Sequence, residues 1–260
     1  MRLGILIQNY KQEDKQYFTN ALSMIKARIG LDIQESEPYH IVCNINYGDT
    51  AAGGADINSK DEQGRYKIFI RIGSCMTNLN HCPYDGTIRG NIIHEIQHCI
   101  FKEFFNDNNG DFLHNLGGIE QAFDYFNANA KFEEMKRLTI HHAGSSESWR
   151  SIDIFHRQKG WGEIGYHYYI LKTGKILVGR WENKQGIHVL NYNENNLGVC
   201  LQGNLDKEKP TLEQLKTLAN FLQDKNISIY CHRDFIQTNC PGIKFNLKEV
   251  LNMLKVSKQQ

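Results

Sequence analysis

Apolar positions recur at helical spacing through residues 12–29 (QEDKQYFTNALSMIKARI), and Gly30 stands where such a helix would end. Two runs, YHIVCNINYG (39–48) and RYKIFIRIG (65–73), read as strands set between turns rich in Gly, Asp and Asn. TIRGNIIHEIQHCIFKEFF (87–105) reads as a long apolar helix, followed by an Asn/Asp/Gly loop over 106–118 and a further helix near 119–130. The pattern then changes. RLTIHHAG (137–144) opens a new strand, GYHYYILKTGKILVGR (165–180) reads as a hairpin, and NLGVCLQGN (196–204) as a buried strand. PTLEQLKTLANFLQDKN (210–226) is an amphipathic helix with Pro210 at its start, ISIYCHRD (227–234) is another strand, and a short helix begins near Leu247. The change of pattern places a domain boundary in the polar stretch Asn127–Lys136, giving domains at 1–133 and 134–260.

Composition narrows the function classes. Lys+Arg is 30 and Asp+Glu is 29, so no net field favours nucleic acid or an anionic membrane. No stretch approaches the eighteen or so apolar residues of a membrane span. The N-terminus turns polar after seven residues, too early for a secretory signal, which predicts synthesis in a cytoplasm. The seven cysteines are Cys43, Cys75, Cys82, Cys99, Cys200, Cys231 and Cys240, an odd count that argues against a disulfide framework.

Two constellations carry chemistry. In the second half His141 and His232 each end an apolar strand, and Cys240 follows His232 by eight residues in the turn Thr238-Asn239-Cys240-Pro241-Gly242. Two imidazoles and a thiolate are a suitable donor set for a zinc ion that keeps one position open; strand-end histidines and a buried thiol are the structural alternative. In the first half, His94-Glu95-Ile96-Gln97-His98 puts two histidines at i and i+4 on one helix face, with Glu95 beside them as a general base. Glu120 on the following helix is the expected third ligand, with Asp124 behind it; His114 and Asp111 are further candidates. Cys75, Cys82 and His81 are set aside as loop and core residues.

The run GWGEIGYHYYILKTGKILVGRWENKQGIHVLNYNENNLGVCLQGN (160–204), with IHHAG at 140–144 and CHRDFIQTNCPG at 231–242, resembles the phage-lysozyme type of N-acetylmuramoyl-L-alanine amidase and the related peptidoglycan-recognition proteins. The resemblance covers about 110 residues in order. It implies an α/β domain with a mixed central sheet flanked by helices; the first half is read separately as a small α+β zincin-like domain before it. It implies zinc held by His141, His232 and Cys240, with Tyr166 as the catalytic tyrosine, and peptidoglycan as partner. His142 is then a polar neighbour of the first ligand. Thr238 stands where many phage members carry a lysine and where the recognition-protein amidases carry threonine, which leaves proton delivery open. His188 matches a recurring histidine on the cleft side, a candidate substrate contact, and Trp161 is a second candidate for stacking on sugar or peptide. Strand alternation puts Tyr166 and Tyr168 on one face and His167 and Tyr169 on the other.

The first half resembles, over about 35 residues, minimal metallopeptidase-like domains with a His-Glu-Ile-Gln-His helix; a second zinc there, and a second activity, are what that resemblance implies. The expected biology is a cell-wall lysin without a signal, relying on a holin or secretion system for delivery. An amidase toxin delivered into rival bacteria and a non-catalytic wall sensor are the alternatives; sensors of this family characteristically lack the cysteine ligand, which is present here.

Overall fold

The computed structural model describes residues 1–48, 52–73, 88–116, 118–131, 134–223 and 225–257. Cys75, His81 and Cys82 lie outside the described residues. The chain forms two compact units, Met1–Phe132 and Glu133–Gln260.

In the first unit the chain runs β1 (Arg2–Gln8), α1 (Lys15–Ile29), β2 (Asp32–Gln34), β3 (Tyr39–Gly48), β4 (Ala52–Asp56) and β5 (Tyr66–Gly73). Then follow α2 (Ile88–Phe105), α3 (Asp111–Asn115) and α4 (Ile119–Asn129). The sheet order is β2-β1-β3-β5-β4; β1, β2, β3 and β5 are parallel and β4 joins antiparallel. Alternation decides which face is covered. Leu3, Ile5, Ile41, Cys43, Ile45, Tyr66, Ile68 and Ile70 are buried, whereas Lys67 and Phe69 between them are exposed. Helix α1 ends on Gly30, whose φ of 69° and N–H to the Lys26 carbonyl make the left-handed cap. The stretch 106–118, read as plain loop from its composition, contains α3. Its driver is local: the Asp107 carboxylate accepts the Leu113 N–H at 3.0 Å, and Gly110 enters the helix at φ 75°.

The second unit contains β6 (Arg137–His142), α5 (Trp149–Gln158), β7 (Tyr168–Ile170), β8 (Ile176–Val178) and β9 (Asn196–Leu201). It continues through α6 (Leu212–Gln223) and β10 (Ser228–Cys231) to α7 (Leu247–Ser257). The sheet is mixed, in the order β10-β6-β9-β7-β8, with only β8 antiparallel. This is the expected α/β architecture of a mixed sheet with helices around it. Helix α5 has no counterpart in the hydropathy pattern, because its buried face consists of Trp149, Asp153 and His156, two of them polar. Ser148 caps it by accepting the Ser151 N–H at 3.1 Å. Trp149, Ile164, Tyr169, Leu177 and Cys200 form one buried cluster, and Tyr166 packs against it.

That contact corrects the expected faces. Tyr166 shares its side with Tyr169, not Tyr168, whose hydroxyl instead donates to Glu182 at 2.7 Å. Strand β7 starts only at Tyr168, so strict alternation does not reach back to Tyr166. Among the described residues no helix is long and apolar enough to cross a membrane.

Candidate active site

The parallel strands β6 and β10 pair Ile140 with Cys231, so their next residues, His141 and His232, emerge side by side at the carboxyl ends of the strands. Their ring centroids are 4.5 Å apart. The chain after His232 is folded back by Arg233. Its backbone N–H donates to the Cys240 carbonyl at 2.9 Å, and its Nη2 donates to the carbonyls of Gly242 and Phe245 at 3.1 and 3.3 Å. Thr238 Oγ1 accepts the Cys240 N–H at 3.2 Å and tightens the turn. Cys240 Sγ thereby lies 3.7 Å from His141 Nδ1, and one donor atom each from His141, His232 and Cys240 fall within 4.8 Å of one another.

The other side of His141 is fixed from behind. Its Nε2 lies 3.0 Å from His188 Nδ1, and His188 Nε2 lies 3.0 Å from the Asn196 carbonyl. A carbonyl only accepts, so His188 carries its proton on Nε2 and accepts at Nδ1. His141 then donates from Nε2, which leaves the Nδ1 lone pair facing Cys240. Both ring nitrogens of His188 are therefore engaged within the protein, and its place is behind His141 rather than on the substrate side expected for it. The ring is confined by Gly186 and Gly198; a Cβ on Gly198 would meet His188 Cδ2 at 2.6 Å.

Burial holds these imidazoles neutral. It pushes His141 well below the ordinary histidine value and His188 down to about 3, with the neighbouring histidines adding to both shifts, and it also lowers His232. Burial raises the Cys240 thiol to about 11. His142 lies outside the three-donor group, and its Nδ1 accepts the Leu205 N–H at 2.9 Å.

Tyr166 lies beside the cluster, its ring centroid 5.2 Å from that of His141. Burial, reinforced by the thiols of Cys200 and Cys240, pushes its phenol well above the ordinary value, so the hydroxyl stays protonated. The loop leading to it is fastened by groups that the sequence reading does not single out. Asp153 Oδ1 accepts the Ile164 N–H at 2.8 Å, His156 Nδ1 accepts the Gly165 N–H at 3.0 Å, and Arg180 donates to the carbonyls of Trp161, Glu163 and Ile164. A polar triad on two distant elements has no periodic signal. Trp161 is partly buried, with its ring 4.5 Å from His156 and Lys159 above it.

The first unit has a second cluster. His94 and His98 on α2 are buried and point Nε2 at Nε2 across 3.1 Å. The third residue beside them is His114 of α3, not Glu120. Glu120 and Asp124 share the outer face of α4 and both pair with Arg28 of α1, their side chains 49% and 76% exposed. The buried face of α4 is Ile119, Ala122, Phe123 and Phe126, so burying these apolar residues turns Glu120 outward. Glu95 is buried, which raises its carboxyl to about 7.

Residues 131–243 match the family model described as N-acetylmuramoyl-L-alanine amidase. The chain is 30% identical over 132 residues to the endolysin of Klebsiella phage KP32, spanning 45% of this chain and 86% of that protein. It is 30% identical over 103 residues to the N-acetylmuramoyl-L-alanine amidase of Homo sapiens, spanning 36% of this chain and 18% of the human protein. Among solved structures, the N-acetylmuramoyl-L-alanine amidase LysC from Clostridium intestinale URNW aligns at 33% identity over 47% of this chain and 87% of that one, with a TM-score of 0.44. The chain belongs to the N-acetylmuramoyl-L-alanine amidase family and is an enzyme of that class, as the resemblance of its second half implies.

Proposed function

We propose that the second unit, residues 134–260, cleaves the amide bond between N-acetylmuramic acid and L-alanine in peptidoglycan with one zinc ion held by His141, His232 and Cys240. The observation that carries the zinc assignment is the convergence of those three donors within 4.8 Å, with His232 Nε2 buried and, among the described residues, without a hydrogen-bond partner. A buried imidazole nitrogen left unpaired costs about 1–3 kcal/mol, and a metal ion would satisfy it. The donor chemistry fits: two neutral imidazoles, and a thiol that burial keeps protonated unless a cation stands beside it.

When bound, zinc supplies Lewis acidity toward a carbonyl oxygen and toward water. The chain's own residues do the rest. His188 holds His141 in the tautomer that offers Nδ1. Thr238 and Arg233 hold the Cys240 turn. Tyr166, kept protonated by burial, donates a hydrogen bond to the amide oxygen as negative charge develops on it. Trp161, on the loop before Tyr166, stacks on sugar or peptide in this proposal. This reading rests on family membership for the bond cleaved and on side-chain geometry for the roles.

The test is a digest of purified sacculi by the zinc-loaded chain, read by mass spectrometry. Intact glycan strands and stem peptides with a free L-alanine amino terminus are expected, and removal of zinc by a chelator abolishes both products. Zinc-independent binding of sacculi with no new ends would refute the enzyme reading and favour a wall sensor.

A further inference from the structure

We propose that His94, His98 and His114 bind one divalent transition-metal ion of the zinc type, giving the chain a second metal centre separate from the amidase site. The three residues come from two helices of the first unit. His94 and His98 lie one turn apart on α2, and their Nε2 atoms converge to 3.1 Å. Two nitrogens bound to one tetrahedral zinc at about 2.0–2.1 Å lie about 3.3 Å apart, so the observed separation is close to that of two ligands sharing an ion. His114 completes the set from α3, its ring stacked on His94 at 5.3 Å and edge-on to His98 at 4.8 Å between centroids. All three offer a donor within 4.8 Å of the others.

The fold works to bring His114 there. Asp107 accepts the Leu113 N–H and anchors the turn of α3 that carries the next residue. Gly110 takes φ 75° and passes so near His98 that a Cβ would stand 2.7 Å from its Cε1. A side chain at 110 would drive the loop, and His114 with it, off the cluster.

The composition is that of an open site. Structural zinc sites close their shell with four protein ligands, whereas three leave a position for water or substrate. His114 is the exposed member of the three and marks the side from which solvent reaches the metal. Glu95 follows His94 on α2 and is 6% exposed.

The experiment is metal stoichiometry on the full chain, stripped with chelator, reloaded with zinc or cobalt and dialysed. Two equivalents are expected in the wild type, one in Cys240→Ser, one in His114→Ala and none in the double variant. Cobalt separates the two centres. Loss of the thiolate-to-cobalt charge-transfer band in Cys240→Ser should leave a visible spectrum of nitrogen ligation that disappears with His114→Ala. Glu120→Gln should keep both equivalents. The proposal is overturned if Cys240→Ser binds no metal, if His114→Ala leaves the stoichiometry unchanged, or if Glu120→Gln removes the equivalent. A failure of the amidase zinc reading looks different: the wild type would bind one equivalent, lost in His114→Ala and kept in Cys240→Ser. Because His114 is exposed, the variant should retain the wild-type circular dichroism spectrum and melting curve in the metal-free state.

Discussion

Replacing Gly198 by alanine should weaken zinc binding at a site the new methyl group never touches. Gly198 lies in β9 against the flat of the His188 ring, and the added Cβ would stand 2.6 Å from Cδ2, 2.7 Å from Cγ and 2.9 Å from Nε2. Ordinary contact begins near 3.4 Å, so the ring must move by about 0.8 Å. Gly186 also runs close to the ring, since a Cβ there would stand 2.4 Å from Cδ2, so the room for the ring to move is small. A shift of that size stretches the 3.0 Å contact with His141 beyond a hydrogen bond and frees the ring of the first proposed ligand. Disturbing a partner that orients a metal-bound histidine typically costs about 10–100-fold in metal affinity, or about 1.4–2.7 kcal/mol. Crowding should add about 1–3 kcal/mol of destabilisation. Affinity is read by competition with a chromophoric chelator, and turnover by release of dye from labelled sacculi across a zinc titration. Turnover should fall at limiting zinc and recover at saturating zinc, a signature that general misfolding would not give. An unchanged zinc affinity would refute the claim that His188 positions His141.

Tyr166→Phe should lower kcat about 10²–10³-fold while zinc affinity changes little, if its hydroxyl stabilises the developing oxyanion; a loss confined to KM would point to substrate binding instead. Acid should destabilise the second unit, because burial holds His156 and His167 down to about 4, with nearby Lys159 adding to the first. Their folded values lie below the unfolded value near 6.5, so the stability they contribute is complete above about pH 6.5 and is lost as pH falls toward 4. By pH 5 this amounts to about 2 kcal/mol for each. All three tryptophans, Trp149, Trp161 and Trp181, lie in the second unit, so urea midpoints from their fluorescence isolate it, and equal midpoints at pH 7 and pH 5 would contradict the assignment. Ser148→Ala should cost about 1 kcal/mol by removing the cap of α5, measured in the same way.

The sequence by itself determined the family of the second half, because that likeness is written in motifs: IHHAG, the Gly-rich run through 160–204, and CHRDFIQTNCPG. It also determined that His94 and His98 share a helix face, since i and i+4 spacing fixes that without tertiary help. What surrounds those residues was decided only by packing. Asp153 and His156 are buried on α5, where a hydropathy pattern expects apolar residues, and they serve the loop before Tyr166. His188 reads as a cleft residue until the Asn196 carbonyl and His141 are seen to occupy both its nitrogens. Glu120 fits the spacing of a third ligand, yet its helix buries the adjacent apolar face and gives the carboxylate to Arg28. His114 comes to lie beside His94 and His98 instead, because a capped turn and a left-handed glycine fold a polar loop back onto α2. Spacing along a chain fixes neighbours within one helix or strand; which separate segments meet is settled by the burial of their apolar faces and by the turns that let them approach.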